Sequence, residues 1–382
     1  MRAIAVIDGE HYAPVVRDAL AALPYDVVGA LLVGGTEKLR GGEGYGVPLV
    51  SSLDEVDADV VVDLSDEPVM PPAERFRLAS RALALGLRYV GADFHFEPPE
   101  LEAFELPSIS VIGTGKRVGK TAVTAHVARL LARERDVVVV AMGRGGPTEP
   151  ELVESPPTVA ELLALSRSGR HAASDHLEAA ALAGVVTIGC RRAGGGLAGT
   201  VTHSNVAAGA DLARTLDPDV VVFDGSGAAV PPVATTARIL VTTAGHDLEA
   251  YLNPYRVAIS DLVIGVGDVR AADVNVSLRL RPIEPLEGRR TAVFTTGAAP
   301  VDHLDAELVH VSRNLANREA LRAELATIDA DVYVVELKAA AIDVVAEDAA
   351  ARGVELVLAA NDVAGDGLDE AVLSLVPAKV SA

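Results

Sequence analysis

The sequence predicts an α/β protein in which parallel sheets carry helices on both faces, and three observations lead to this prediction. Half of the 382 residues are apolar and 23% are charged, as in ordered globular chains. Short apolar runs, such as residues 137–142 and 220–223, alternate with segments that have helical periodicity. The 34 glycines and 21 prolines are spread along the chain and separate these segments. Strands that alternate with helices in this way form parallel sheets.

Residues 1–100 predict a small Rossmann-like domain. One helix begins at Pro14 and another begins at Pro71 and ends at Gly86, because proline suits the first helical turn and glycine suits the end. Residues 96–100, which include two prolines, predict a linker. The predicted strands of this domain are residues 2–8, 26–33, 59–64 and 87–91.

Residues 105–288 predict a second series of strands and helices. An apolar run at 109–112 leads through a glycine-rich loop into a helix with an apolar stripe that faces a sheet. The stripe consists of Val123, Val127, Leu130 and Leu131. Further strands are predicted at 137–142, 185–189, 220–223, 239–241 and 262–264. Residues 289–382 repeat the pattern as a small α/β extension, with strands predicted at 291–294, 332–335 and 354–358.

The strongest functional signal is the loop 113–121, which joins an apolar strand to an amphipathic helix. Glycines let such a loop curl so that its backbone N–H groups point at phosphate oxygens. Lys120 then reaches the terminal phosphates of a nucleotide, and the hydroxyl of Thr121 binds Mg²⁺. The usual spacing has glycine at position 114, where this chain has threonine. The alternative is a glycine-rich turn without a ligand. We assign nucleotide binding to the whole loop, namely Gly113, Thr114, Gly115, Lys116, Arg117, Val118, Gly119, Lys120 and Thr121.

A carboxylate follows the predicted strand 220–223. Asp224 and the small residues after it place this carboxylate at the carboxyl edge of a parallel sheet, where such sheets bind ligands. An aspartate that only caps a turn is the alternative. Downstream of a phosphate loop, the sequence favours a Mg²⁺ ligand that acts together with Thr121. Whether Glu149 or Glu151 joins this metal shell stays open.

Two further clusters are suited to anions. Arg144 lies in a glycine-rich loop after one strand, while Arg191 and Arg192 follow another strand and precede three glycines. A predicted helix begins near residue 206, after His203. Arginine makes bidentate contacts with phosphate, and a helix N-terminus adds a fixed positive end. We therefore predict a second anion site, with a plain helix cap at residue 204 or 205 as the alternative.

Composition excludes several classes of function. The formal net charge is −21 at pH 7 and no run is rich in lysine or arginine, so nucleic acid is a poor partner. A single cysteine, Cys190, cannot form an internal disulfide and suits a reducing compartment. No apolar run approaches the roughly 18 residues that cross a bilayer, and the first run is too short for a signal peptide. We expect a cytoplasmic protein without nucleic-acid or membrane partners, and leave a homo-oligomer open.

These motifs resemble the dethiobiotin synthetase branch of the P-loop NTPases. The resemblance rests on the loop 113–121 and on the sequence Asp-Gly-Ser-Gly at 224–227. Within that branch, residues 7–12, 143–147 and 191–205 are similar to the cyclic 2,3-diphosphoglycerate synthetase family. The resemblance implies a P-loop NTPase sheet for the second domain.

The resemblance also implies an activity. It implies a ligase that uses ATP and Mg²⁺ to cyclise 2,3-diphosphoglycerate, a small phosphorylated acid, with release of ADP and phosphate. Lys120 would bind the β- and γ-phosphates, and Lys116 or Arg117 would contact the transferred group. The implied catalytic residues are Lys116, Lys120 and Arg144. The residues implied to bind the acid are Arg144, Arg191, Arg192, His203 and Asn205.

Two other functions remain as alternatives. One is a different ATP-dependent ligase of the dethiobiotin synthetase type. Two adjacent arginines, Arg191 and Arg192, make this alternative less favourable, because such a ligase needs fewer cations for its substrate. The other is a non-enzymatic nucleotide switch, which needs a partner surface or a metal cluster. With one cysteine and scattered histidines, the sequence offers no visible ligands for such a cluster.

Overall fold

The computed structural model describes residues 1–41, 44–172, 174–296, 300–338 and 341–376. Its strands are β1 Arg2–Ile7, β2 Asp26–Leu32, β3 Leu49–Val50, β4 Val60–Asp63, β5 Arg88–Val90, β6 His95–Phe96, β7 Ser108–Gly113, β8 Val137–Gly143, β9 Glu151–Val153, β10 Val186–Ala193, β11 His203–Ser204, β12 Val220–Asp224, β13 Ala237–Thr243, β14 Leu262–Val266, β15 Val274–Pro282, β16 Arg290–Phe294, β17 Glu307–Ser312, β18 Val332–Glu336 and β19 Glu355–Ala364. Its helices are α1 Ala13–Ala22, α2 Pro72–Ala84, α3 Lys120–Leu131, α4 Val159–Arg167, α5 Asp175–Ala183, α6 Val206–Thr215, α7 Asn253–Ala258, α8 Arg318–Leu325, α9 Glu347–Arg352 and α10 Leu368–Ser374, with a π-helical segment Ala341–Ala346 before α9. Of the helices in these described ranges, none is long and apolar enough to cross a bilayer.

The chain divides into two compact units. The first contains Met1–Glu100 together with Gly196–Thr200 and Asp247–Ser260, and the second contains the remaining segments. Our domain ranges of 1–100, 105–288 and 289–382 stay a prediction about boundaries, and residues 377–382 of the last range lie outside the described residues. The structure adds that two short segments of the middle range pack with the first unit.

The first unit has the predicted Rossmann-like arrangement. In the part of the chain that the structure describes, its sheet has six strands in the order β3-β2-β1-β4-β5-β6. All neighbours are parallel except β5 and β6. Helix α2 buries Ala79 and Leu83 in a core that also contains Tyr255 of α7 and Leu252, the residue that precedes α7. The two-residue strands β3 and β6 were not predicted, and β6 overlaps the start of the predicted linker.

The P-loop part of the second unit confirms a parallel sheet with helices on both faces. The strands run in the order β10-β8-β12-β7-β13-β14-β15, and all of these neighbours are parallel. On one face lies α3, whose predicted stripe is entirely buried. On the other face lies α6, which buries Val206, Ala210 and Ala213. Residues alternate along a buried strand, so that Val139 packs toward α3 and Val140 toward α6.

The C-terminal extension continues the same sheet. Strand β15 first pairs with β14 in parallel and then, from Ser277 onward, pairs with β19 in antiparallel orientation. The order then runs β19-β18-β16-β17, with parallel neighbours. Val363 of β19 and Leu368 and Val372 of α10 belong to the core around α3. The extension therefore completes the hydrophobic core of the P-loop part.

Strand β10 is longer than predicted. We expected it to end at Gly189, but it runs on to Ala193, because β8 pairs with it as far as Arg191 and β11 pairs with Arg192 and Ala193. The arginines therefore lie inside the strand, on opposite faces. Helix α4 was also missed, although Thr158 and Glu161 form a capping box that the sequence displays.

Candidate active site

The loop between β7 and α3 has the backbone that phosphate binding requires. Gly119, the residue before α3, has a φ of 89°, and a Cβ there would lie 2.8 Å from Cγ2 of Val266. Only glycine fits that position. Arg117 also has a positive φ, of 62°. The helix starts at Lys120, so its first N–H groups, which lack partners within the helix, lie beside the loop.

Thr114 occupies the position where the usual spacing has glycine. Its side chain is buried, and its Oγ1 lies 3.1 Å from Oγ1 of Thr242 and 2.9 Å from Nδ1 of His246. His246 in turn packs over Gly115, because a Cβ on that glycine would lie 2.8 Å from the imidazole. The threonine therefore ties the loop to the end of β13, and His246 covers the loop.

Lys120 and Asp224 form an ion pair at the edge of the sheet. Both side chains are largely buried, and Thr124, one turn along α3, donates a hydrogen bond of 2.7 Å from Oγ1 to Oδ1 of Asp224. Asp224 ends β12, next to β7 in the sheet, as the sequence predicted. The structure thus brings the loop lysine and the strand-end carboxylate together.

Asp175, the first residue of α5, is a second carboxylate at this place. Its carboxylate packs against Gly143, where a Cβ would lie 3.2 Å from Oδ2. Burial raises the pKa of Asp175, and the negative charge of Asp224 adds to the rise, while Lys120, with Lys338 and Arg144, opposes it. Asp175 therefore lies in the electrostatic field of the lysine and the aspartate that form the ion pair.

Two guanidinium groups and the aliphatic stem of a lysine lie beside Gly227, and we call these residues the cation cluster: Lys116, Arg144 and Arg192. A Cβ on Gly227 would lie 2.9 Å from Nη2 of Arg144 and 3.9 Å from both Nη2 of Arg192 and Cγ of Lys116. Arg192 donates 2.8 Å to the carbonyl oxygen of Ser226. Burial lowers the pKa of Arg192, and the nearby charge of Arg144 lowers it further. Two arginines that repel each other in this way favour an anion between them.

The structure does not bring the other predicted anion ligands to this cluster. Arg191 is on the opposite face of β10 from Arg192, and its Nη1 donates to Oγ1 of Thr148 at 3.2 Å. The Oδ1 of Asn205 accepts from the backbone N–H of Arg191 at 2.7 Å, and its Nδ2 donates to the carbonyl oxygens of residues 147 and 148. His203 is exposed in β11. Glu151, a possible metal ligand by sequence, pairs with Arg170 instead.

A cavity of about 820 Å³ joins the P-loop to the C-terminal extension. Its lining includes loop residues 115–121, Arg144, Asp175, Glu178 and Gly227. The extension contributes four residues that we call the C-terminal wall: Thr296, Glu336, Lys338 and Asn361. Lys338 forms an ion pair with Glu178 of α5. Although burial alone would lower the pKa of Lys338, the carboxylate of Glu178 raises it, so this lysine is charged at neutral pH.

Sequence reasoning missed several residues of this site. Asp175 had a local signal, since Ser174 and Asp175 form a typical start of a helix. His246 follows β13 by three residues, at the edge where the phosphate loop lies. The residues of the C-terminal wall had no such signal, because only the pairing of β15 with β19 brings them near the loop.

This fold and site define a nucleotide-binding protein of the P-loop class, with a cluster of cationic side chains beside its phosphate loop. Family comparison is more specific. Residues 2–97 match the N-terminal domain of cyclic 2,3-diphosphoglycerate synthetase, residues 108–275 match its P-loop domain, and residues 282–362 match its C-terminal domain. The chain belongs to the cyclic 2,3-diphosphoglycerate synthetase family.

Relatives named cyclic 2,3-diphosphoglycerate synthetase align over nearly the whole chain. The protein of Rubrobacter xylanophilus is 45% identical over 99% of this chain and 98% of its own length. The protein of Thermococcus kodakarensis is 40% identical over 97% of this chain and 98% of its own length. The protein of Methanothermobacter thermautotrophicus is 38% identical over 98% of this chain and 95% of its own length. Among solved structures, LpxK from Aquifex aeolicus in complex with ATP aligns with a TM-score of 0.45 and 14% identity, over 73% of this chain and 91% of that one.

Proposed function

We propose that this chain is an ATP- and Mg²⁺-dependent ligase that converts 2,3-diphosphoglycerate into cyclic 2,3-diphosphoglycerate, with release of ADP and phosphate. The relatives that align over nearly the whole chain carry the name of this enzyme. We further propose that it acts in the cytoplasm on this small phosphorylated acid, without nucleic acid or membrane, and that a homo-oligomer is compatible with this activity.

The observation that carries the proposal is the cation cluster beside the P-loop. An ATPase or a switch needs cations only for its nucleotide. Arg144 and Arg192 lie at Gly227, next to the phosphate loop but outside it, so they are available for a second anionic ligand. A substrate with two phosphates and a carboxylate needs such extra cations, because its own charges repel one another. Lys116 belongs to both the loop and the cluster, so it is suited to contact the group that moves between them.

The chemistry demands positioning and charge neutralisation more than a strong base. An oxygen of one substrate phosphate attacks the γ-phosphorus of ATP, and the bond from that phosphorus to the β-phosphate oxygen breaks, so ADP leaves. An oxygen of the other substrate phosphate then attacks the activated phosphate and expels inorganic phosphate, which closes the ring. Fixed cations stabilise the negative charge that develops in both steps. Lys120 serves the β- and γ-phosphates, and Arg144 and Arg192 hold the acid.

The residues present fit a magnesium ion. Asp224, Asp175 and the hydroxyl of Thr121 are oxygen donors, which Mg²⁺ prefers, and the Lys120 ammonium on Asp224 marks a place that attracts a cation. Within the described residues, no three acidic, histidine or cysteine side chains form a ready metal cluster, so phosphate oxygens and water would complete the shell. When bound, the ion would neutralise charge on the phosphates. We propose Thr121, Asp224 and Asp175 as its protein ligands.

The test is to incubate the protein with ATP, Mg²⁺ and 2,3-diphosphoglycerate and to follow phosphate release and the phosphorus NMR spectrum. The proposal predicts new upfield resonances typical of a diphosphate, formed only when ATP is present, with one phosphate released per ring. ATP binding without phosphate release that depends on the acid would contradict it. That result would favour a ligase for another acid or a nucleotide switch.

A further inference from the structure

The cavity beside the P-loop has two chemically different ends. One end is the cation cluster. The other is the C-terminal wall, where Lys338 is already neutralised by Glu178 and the remaining carboxylate belongs to Glu336. A fully ionised phosphorylated acid carries only negative charge and hydrogen-bond acceptors, so the second end repels it. This end suits an uncharged group that carries hydrogen-bond donors.

One acceptor of the wall is fixed in orientation. Nδ2 of Asn361 donates to Oε1 of Glu336 at 3.0 Å, and Oε2 of Glu336 accepts from the N–H and the hydroxyl of Thr296 at 2.7 and 3.0 Å. A carboxylate only accepts, so the amide of Asn361 must keep its NH₂ toward Glu336 and its oxygen away from it. That oxygen, Oδ1, is buried and has no hydrogen-bond partner among the residues that the structure describes. A buried acceptor of this kind favours a ligand that supplies a donor.

The same cavity also has an apolar lining that suits the flat ring of a base. Val266 and Leu278 pack against Gly119, at 2.8 and 3.4 Å from where its Cβ would lie, and both line the cavity. Leu182 and Ala122 line it as well. Apolar walls with a few fixed polar groups are typical of pockets that bind small organic groups. Since Lys120 serves the β- and γ-phosphates, the nucleoside lies farther along the nucleotide, beyond the α-phosphate. The cavity extends from the phosphate loop to the C-terminal wall and offers space for it.

We propose that the C-terminal wall holds the nucleoside and that Oδ1 of Asn361 accepts a hydrogen bond from the exocyclic amino group of adenine. Guanine has a carbonyl oxygen at that position, and two acceptors then face each other. Asn361 therefore selects the base, and Glu336 is a positioning residue that orients it. The inference rests on the proposed use of ATP and adds how the chain distinguishes ATP from GTP.

The test measures the affinity of the full chain for ATP and for GTP by competition with a fluorescent ADP analogue in the presence of Mg²⁺. The wild type binds ATP roughly tenfold more tightly than GTP or better, because GTP leaves the buried oxygen without a donor. In Asn361→Ala this ratio falls toward one through a loss of ATP affinity. Asn314→Ala is the matched control, because Asn314 donates to Glu324 in the same extension but does not line the cavity, and it keeps the wild-type ratio.

A second variant reverses the preference and keeps the test decisive if Asn361→Ala fails to fold. In Glu336→Gln the new carboxamide keeps its oxygen on Thr296 and turns its NH₂ to Asn361, whose amide then rotates and presents NH₂ as a donor. The ratio shifts toward GTP. Wild-type selectivity in both folded variants would overturn the inference, and so would a wild type that binds ATP and GTP equally. A wild type that binds neither nucleotide would overturn the proposed function as well.

Discussion

Asp8, which is buried, and Asp175, which is partly buried, have pKa values that are shifted in opposite directions. Burial alone would raise the pKa of Asp8, but hydrogen bonds from the N–H of Asp66, from His11 and from the N–H of Glu10 outweigh it and lower the pKa. No hydrogen bond of this kind lowers the pKa of Asp175 within the described part of the chain, and burial raises that pKa. The first carboxylate therefore stabilises its unit when charged, and the second destabilises its unit when charged.

We expect Asp175→Asn to raise the melting temperature at neutral pH while it lowers turnover. Between the ordinary aspartate pKa, about 4, and the raised value, the unfolded chain loses its proton before the native protein does. Wild-type stability therefore falls relative to the variant as pH rises through this interval. Thermal melts across this pH range check it.

Asp8→Asn is the matched comparison for this experiment. The lowered pKa of Asp8 means that its contribution to stability is lost as pH falls through the native value, so this variant is less stable than wild type at neutral pH. A melting temperature of Asp175→Asn below that of wild type at all pH values would contradict the assigned direction.

At the cation cluster, we expect Arg192→Ala to raise the KM for the phosphorylated acid roughly tenfold to a hundredfold, as the loss of a charged hydrogen bond does. Nucleotide affinity changes little. Arg191→Ala has the smaller effect, because its guanidinium lies at Thr148 on the other face of β10. Arg214→Ala, which removes an equal charge at the pair with Glu105, is the control. An equal loss of acid and nucleotide binding in Arg192→Ala would contradict the role.

Local motifs explain which site residues were predictable. The phosphate loop and Asp224 lie at the ends of apolar strands, so the spacing in the sequence placed them together. The separation of Arg191 and Arg192 onto opposite faces of β10 was not predictable, because where this strand ends depends on contacts with β8 and β11. Asn361 and Lys338 depend on a strand pairing that no local pattern contains.

At the scale of single elements, the contact between α6 and β10 is unusually tight. Gly209 of α6 faces Cys190 of β10, and a Cβ at 209 would lie 2.3 Å from Sγ. Cys190 is fully buried, and burial raises the pKa of its thiol to about 12. The cysteine is therefore a packing residue, as its place in the strand suggests, and the thiol is protonated at neutral pH.

We expect Gly209→Ala to destabilise the protein by about 1–3 kcal/mol because it overpacks this contact. In a helix with free space at that position, the same change stabilises the protein by up to about 1 kcal/mol. The sign of the change in the free energy of unfolding therefore decides between the two cases, and urea unfolding measures it. In a Cys190→Ala background, which removes Sγ, the cost of Gly209→Ala falls. Gly245→Ala, where no atom lies within 4 Å of the Cβ position, is the control. An unchanged cost in the double variant would contradict this cause.

At the scale of the whole molecule, the fold class was predictable and the joining of its parts was not. Alternating strands and helices are a local pattern, and both sheets follow it. The connection through β15 joins residues far apart in sequence, and Val363, Leu368 and Val372 then share a core with α3. The apolar stripe of α3 predicted a buried helix but not what would bury its far side.

We expect residues 101–288 alone to lack a cooperative unfolding transition. Without β19 and α10, part of the core around α3 is exposed to water. This exposure costs about 1.5–3 kcal/mol of folding free energy for each large apolar side chain. Residues 101–382, which lack the same N-terminal segment, are the matched comparison and unfold cooperatively in urea. Circular dichroism follows both. A cooperative, nucleotide-binding 101–288 fragment would show that the predicted boundary at 288 divides independent domains.

The place of β19 and α10 in the α3 core also bears on how the chain is made. A ribosome releases the phosphate loop and α3 long before it releases Val363 and Leu368, so the nascent helix carries an uncovered apolar side while the rest is translated. Exposed apolar surface of this kind invites aggregation and chaperone binding. We therefore expect the phosphate loop to gain its full support only after β19 and α10 are made, so that chains that end before them lack a complete core.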